Sequence, residues 1–361
     1  MDYVKAIKLF KDDNIPELAS TAYGLRFLKL RSLSRKEHLQ ELFERAGLTF
    51  TEDSGSALLK KAVEANISDA VIDGTIAAIF KRESEERLKN EPQLVNELYK
   101  VEVFDWGGLH QNSLEKTIVD NYVKKITSFE TLESKIENEL QHSMRGFVFC
   151  QWYNHWTTII IEDLFNTHKR VIPAVGKIKK IDFFIDNIPF DLKVTYLPEG
   201  FIKERRRADG VKPELTLARS TAKSLHITFD DELPEGKLLE DLIKKLRDHP
   251  DGKAQALIKD LHSYRMKLLA NVQADPEPLI IWLYENQGIR RFDAANRLFL
   301  VLVDTSAFFD SWKLKRAKPL LKERIGKFID GLPSTPGRKV SFDWEGTKYE
   351  CRSDICFVVH P

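Results

Sequence analysis

Asp182 and Asp191 flank a turn signal, Asp186-Asn187, in the stretch KIKKIDFFIDNIPFDLKVTYLP (177–198), and Lys193 follows the second acid across a single leucine. If Asp186-Asn187 is a two-residue turn, the pairing is fixed: Ile185 faces Ile188, Phe184 faces Pro189, Phe183 faces Phe190 and Asp182 faces Asp191. Side chains alternate along a strand, so Lys193 shares the face of Asp191. Like charges directly opposed in a sheet repel. A divalent cation held by hard carboxylate oxygens offsets that repulsion. Such an ion lowers the pKa of its water and stabilises charge on an attacked phosphate, while a neighbouring ammonium orients the water or meets the developing oxyanion. The plainer alternative is a solvated sheet face on which Lys193 pairs with both aspartates.

A third carboxylate is expected from upstream. FVFCQWYNHWTTIIIEDLFNT (147–167) has the length of a helix, with Trp152, Trp156, Ile159, Ile160 and Leu164 as the expected buried stripe. Glu162 and Asp163 lie near its C-terminal end, about 100° apart, so one of them is expected to face the hairpin. His155 could approach from two turns back, although a packed, hydrogen-bonded histidine is the commoner outcome.

A helix acid, a strand Asp and an Asp-Leu-Lys on the facing strand resemble the PD-(D/E)xK nuclease superfamily, the restriction endonuclease-like fold of type II restriction enzymes. The likeness covers residues 147–197 directly. It departs from the family name in having Ile181 where the proline would stand, and its second acid is an aspartate. The resemblance implies that Asp182 and Asp191 ligate metal, that Lys193 is the motif lysine, and that Glu162 rather than Asp163 is the helix acid. It implies Mg²⁺ as cofactor, with Mn²⁺ as a substitute, and hydrolysis of phosphodiester bonds in double-stranded DNA. Restriction or another anti-phage role is the expected setting, with a homodimer or a partner subunit of a defence system as the assembly. A repair or recombination nuclease acting on branched DNA carries the same motif, and so does a catalytically inactive DNA-binding or scaffolding protein of this fold.

Around these residues the chain reads as α/β (α+β). Residues 1–110 form an expected helical accessory or DNA-recognition domain, and 111–361 a nuclease-like mixed-sheet domain with C-terminal strands. In the first part, helices are expected after Ser34, whose Ser34-Arg35-Lys36-Glu37 fits a capping box, around 56–63 and around 70–81, with Gly47 ending one of them. Arg26, Lys29, Arg31, Arg35 and Lys36 would face phosphates if this were a helix-turn-helix; an ordinary bundle with a basic face is the simpler reading. FDWGGLHQNS, with Gly107-Gly108, marks the expected boundary.

Downstream of the hairpin, Lys203, Arg205, Arg206, Arg207, Arg219 and Lys223 make the basic stretch expected to hold DNA phosphates. A second basic run spans 313–327, with Pro319 starting or kinking a helix. Helices broken near Pro250-Asp251-Gly252 precede two expected buried strands, PLIIWLYEN and RLFLVLVD, on either side of a loop with Gly288, Arg290 and Arg291. The end reads as three short strands, turning first at Glu345-Gly346.

Composition excludes some classes. The net charge of +1 gives no global pull on a polyanion, so any attraction is local. Neither GxxxxGK[ST] nor GxGxxG occurs, which argues against nucleotide-driven chemistry. The three cysteines, Cys150, Cys351 and Cys356, suit neither a disulfide framework nor a zinc site. The charged N-terminus and the lack of a long apolar run point to a cytoplasmic protein without a membrane segment.

Overall fold

A computed structural model describes the chain apart from residues 34, 53, 103–117, 179 and 287–293. The capping role of Ser34, the boundary loop around Gly107-Gly108 and the loop with Gly288, Arg290 and Arg291 therefore lie outside the described residues.

Short amphipathic segments build the N-terminal part: α1 (Tyr3–Lys11), α2 (Ile15–Ala19), α3 (Ala22–Ser32), α4 (Lys36–Arg45), α5 (Gly55–Glu64), α6 (Asp69–Leu88) and α7 (Glu91–Leu98). Asp2, Asn14, Thr21, Ser54 and Ser68 each cap a helix with a side-chain oxygen, satisfying an amide that the helix cannot. Gly47, in the left-handed region at φ 66°, follows α4 as expected. Three of the basic set are engaged within the helices, while Arg35 is exposed and pairs with Glu83. Arg26 donates to the carbonyls of Ile67 and Ala65, Lys29 is buried against Asp73, and Arg31 lies over the Phe10 ring. For these three residues the contacts are those of a helical bundle.

Residues 118–123 form a helical turn, α8 covers Phe129–Lys135, and a π-helical turn at Ile136–Leu140 leads into the long α9 (Gln141–Asn166). In α9 the buried face carries Tyr153, Thr157, Ile160, Ile161 and Phe165, with Trp152, Trp156 and Ile159 only half-buried. The expected stripe was thus rotated by about one position. The tryptophans are instead satisfied at the rim, against α7 residues such as Leu94 and Leu98.

The sheet follows: β1 (Val171–Ile178), β2 (Ile181–Ile185) and β3 (Ile188–Tyr196) form an antiparallel meander. Helices α10 (Glu199–Ala208), α11 (Glu214–Ser224), α12 (Glu235–Asp248), α13 (Gly252–Ala274) and α14 (Glu277–Glu285) then cross over to β4 (Arg297–Asp304). A 3₁₀ segment (Phe308–Arg316), α15 (Lys318–Gly331), β5 (Arg338–Trp344) and β6 (Thr347–His360) complete the chain. Strand order is β1-β2-β3-β4-β6-β5, with the β3/β4 and β4/β6 pairs parallel and the rest antiparallel.

Two expectations fail here. PLIIWLYEN is helix α14, not a strand, and the C-terminus holds two strands rather than three. Pro278 in its first turn suits a helix start, and Leu279, Ile280 and Tyr284 bury among Leu268, Leu269 and Phe299. The turn at Glu345-Gly346 and the helix start at Pro319 are as read.

The sheet is covered on both sides. Phe183, Phe190 and Leu192 pack with Ile161 and Phe165 of α9 and Leu321 and Ile325 of α15. Each such fully buried side chain contributes about 1.5–3 kcal/mol. The N-terminal core is continuous with the meander, since Ile178, Ile181 and Phe184 bury among Leu28, Phe43 and Ile76. Among the described residues no helix is long and apolar enough to cross a membrane.

Candidate functional site

The hairpin forms with the expected register: Ile185 opposite Ile188, Phe184 opposite Pro189 and Phe183 opposite Phe190. Asp186 (φ 47°) and Asn187 (φ 67°) both occupy the left-handed region, as a two-residue turn of this kind requires. The tip is tethered at two points. Lys29 Nζ on α3 donates to Asn187 Oδ1 at 2.6 Å, and Arg170 holds the Asp186 carboxylate.

The ladder stops after Phe183 and Phe190. Leu192 N–H is donated to Asp182 Oδ2 at 2.7 Å. A side-chain carboxylate stands where a backbone carbonyl would continue the ladder, so the strands part. Asp182 and Asp191 are therefore not the directly opposed pair expected from the turn.

Asp191 is 6 % exposed and is held by two cations. Lys193 Nζ donates to Oδ1 at 2.8 Å, and Arg297 Nε donates to Oδ2 at 3.2 Å. Arg297 is also the register partner of Asp191 across the parallel β3/β4 pair. Its role was missed in the sequence, although one signal was there: it is the cation that opens the otherwise apolar run RLFLVLV.

Glu162 and Asp182 line one cavity of about 650 Å³. Its walls come from α6 (Phe80, Glu83, Arg87), α9 (Ile159, Glu162, Asp163, Asn166), β1 (Ala174, Val175, Gly176, Ile178) and β2 (Ile181, Asp182). The register of β1 shifts between Pro173 and Ile178, an irregularity that bends the strand beside the cavity. Burial pushes the Glu162 carboxyl up to about 7, reinforced by the negative charges of Asp182 and Asp163 and opposed by Arg87 and Lys193. Burial likewise pushes Asp182 up to about 6, with Asp191 adding to the rise and the Leu192 amide and Lys193 opposing it. Lys193 thus acts on both acids. Asp191 and Lys193 themselves do not line the cavity.

Asp163 faces inward as well, but as an ion-pair partner: its Oδ1 accepts from Arg87 Nη2 at 2.8 Å. Its Oδ2 and the Oδ1 of Asn166 are buried without a hydrogen-bond partner. Glu162 has no hydrogen bond or ion pair with the described residues, which makes it the available acid of the two. His155 is exposed, packs edge-on against Trp156, and does not line the cavity.

The basic stretch is divided by the fold. Arg206 is 2 % exposed, donates to the Lys212 carbonyl and lies over the Tyr264 ring, so it cannot reach DNA. The carbonyl and the ring replace part of its water, while Nη1 is buried without a hydrogen-bond partner. Lys203 pairs with Glu235, Arg219 with Asp231, and Arg205 lies over Phe201. Arg207 and Lys223 are exposed. None of the six lines the acidic cavity. In the second basic run, Lys315 and Arg316 are buried, the latter donating to the carbonyls of Leu98 and Val101. A separate cavity of about 270 Å³ beside α13 has its buried charges, Glu214 and Arg265, satisfied by each other.

The donor set suits a hard cation. Glu162 is unspent, Asp182 spends one oxygen on an amide, and each Asp191 oxygen keeps a second lone pair. Among the described residues no three such groups stand ready-clustered around one point. Comparison of the chain with protein-family models, curated proteins and solved structures gives no match.

Proposed function

We propose that the chain is a Mg²⁺-dependent endonuclease of the PD-(D/E)xK kind, hydrolysing phosphodiester bonds in double-stranded DNA, in restriction or another defence role. One observation carries this reading. The helix acid Glu162 and the hairpin acid Asp182 share a cavity, both carboxyls are raised, and the charge of Lys193 acts on both. The order of elements supports it: an acid-bearing helix, a meander whose second and third strands carry Asp182 and Asp191-Leu192-Lys193, and a helical crossover to a parallel strand.

Glu162, Asp182 and Asp191 would hold the metal. When bound, Mg²⁺ would supply a more acidic water and charge stabilisation at the phosphate. The chain's own groups do the rest. Glu162, held partly protonated near neutral pH by burial, would release that proton on taking the cation. Lys193, half-exposed and bonded to Asp191, presents an ammonium to the developing charge on phosphate oxygens. Arg297 fixes the Asp191 carboxylate from the neighbouring strand. Phe80, Ile159 and Ile181 give the walls an apolar component.

A second reading, a catalytically inactive DNA-binding protein of this fold, is favoured by the double clamp of Lys193 and Arg297 on Asp191. Plasmid DNA incubated with Mg²⁺ separates the two. Nicking or linearisation by wild type, abolished in Asp191→Ala and Lys193→Ala, supports the nuclease. Binding without cleavage of supercoiled, linear or branched DNA supports the inactive form and overturns the first reading.

A further inference from the structure

We propose that Arg87 is a phosphate-binding residue of this same cleft, so that the N-terminal helices form one wall of the nucleic-acid site. The inference rests on the nuclease reading and adds a residue and a surface to it.

Charge balance is the first argument. The cavity is lined by four acids, Glu83, Glu162, Asp163 and Asp182, and Arg87 is the cation among the described lining residues. Glu83 is paired with Arg35 and Asp163 with Arg87, which leaves Glu162 and Asp182, and a polyanion approaching them needs positive charge on the wall. The downstream basic stretch does not line this cavity, and Arg87 does.

The second argument is how Arg87 is held. Arginines that brace this fold either spend most of their donors inside the protein or bury the ones they leave over, as Arg206 and Arg316 do. Arg170 donates to Asp186 and to the carbonyls of Ile329, Leu332 and Pro333, and Arg26 donates to Asp69, Ile67 and Ala65. Arg87 spends Nη2 on Asp163 and rests 5.8 Å from the Phe80 ring centre. Its Nε and Nη1 have no hydrogen-bond partner among the described residues, and its side chain is 34 % exposed. Asp163, buried at its base, anchors the group without consuming it. A planar fork with unspent donors and a fixed base is suited to phosphate oxygens. The ligand class is a backbone phosphate of the bound strand, next to the one attacked.

The test uses the full-length chain and a double variant, Arg87→Ala/Asp163→Asn, which removes the guanidinium without stranding a buried carboxylate. Steady-state cleavage of plasmid DNA is read as KM against kcat. Binding of a fluorescent 20-base-pair duplex is read by anisotropy over a salt series, with Ca²⁺ in place of Mg²⁺. The expected result is a KM and Kd raised about 10-fold or more, a kcat within a few-fold, and a salt slope smaller by about one. Arg87→Lys should recover part of the affinity and the slope. Unchanged KM, Kd and slope in the double variant, beside an active wild type, overturn the role of Arg87 and leave the nuclease reading standing. A wild type that binds but does not cleave overturns the nuclease reading, and the duplex titration still decides Arg87. A wild type that does not bind duplex at all overturns both.

Discussion

Replacing Glu162 with Gln should make the protein more stable at pH 8 and change little at pH 4.5. In the folded chain this carboxyl is pushed from its ordinary 4.5 to about 7, first by burial and then by Asp182 and Asp163. Each tenfold change in proton affinity corresponds to about 1.4 kcal/mol, so ionising Glu162 costs about 3 kcal/mol more in the folded than in the unfolded chain. A raised carboxyl pKa means that the folded state binds more protons than the unfolded one between pH 4.5 and 7. Stability is therefore lost as pH rises through that window, with the full penalty present above about pH 7 and nearly none at pH 4.5. Gln keeps the shape and carries no charge, and Glu162 has no hydrogen bond with the described residues for it to break. Partial relaxation around Asp182 will trim the gain, so an increase of about 1–3 kcal/mol is expected at pH 8 and under about 0.5 kcal/mol at pH 4.5. Urea unfolding of both proteins at the two pH values, at constant slope, measures it. Mg²⁺ at millimolar concentration should raise the midpoint of wild type at pH 8 and leave the Gln variant nearly unmoved. An equal change at both pH values, or a loss at pH 8, would refute the idea that Glu162 is an uncompensated buried acid.

Two further substitutions test the scaffold of the site. Arg297→Ala leaves Asp191 buried with Lys193 as its remaining cation, and should lower stability by about 3 kcal/mol in urea titrations; adding Asp191→Asn should recover part of that loss. Asn187→Val forces a β-branched residue to φ 67° and removes the Lys29 bond, for an expected loss of about 2–3 kcal/mol. Asn187→Gly keeps the turn and should cost about 1 kcal/mol; equal losses for the two would refute the strain argument.

The hairpin was legible because its information is local. Alternation of apolar residues and a turn pair able to take positive φ specify a register without reference to the rest of the chain. What the hairpin does beyond Phe183 was not legible, since the splay depends on the Asp182 side chain capturing Leu192 N–H. Strand β1 carries Pro173 and Gly176, which weaken a strand signal in sequence; it tolerates both as an outer strand with an irregular register. Helix α14 reads as a strand in sequence because it is apolar on every side, wedged between α13 and the sheet, where periodicity disappears. The helix α9 is legible from its length, but the phase of its buried face depends on neighbours distant in sequence, among them Leu98 and Trp312. Charge patterns misled most. Arg206 and Arg316 look like surface cations in sequence and are internal struts in the fold, while Arg87, in the unremarkable ESEERLK, lines the acidic cavity.

The parallel pairing of β3 with β4 has a consequence for the order of assembly. Asp191 and Arg297 are 106 residues apart, with the whole crossover of α10 to α14 between them. The meander closes over a few residues, whereas the β3/β4 pair must wait for a long loop to close and five helices to pack. On chain separation alone, Asp182 and Asp191 are expected to come close before the guanidinium that steadies Asp191 arrives. Until the sheet is joined across its middle, Asp191 has Lys193 but not Arg297 to steady it.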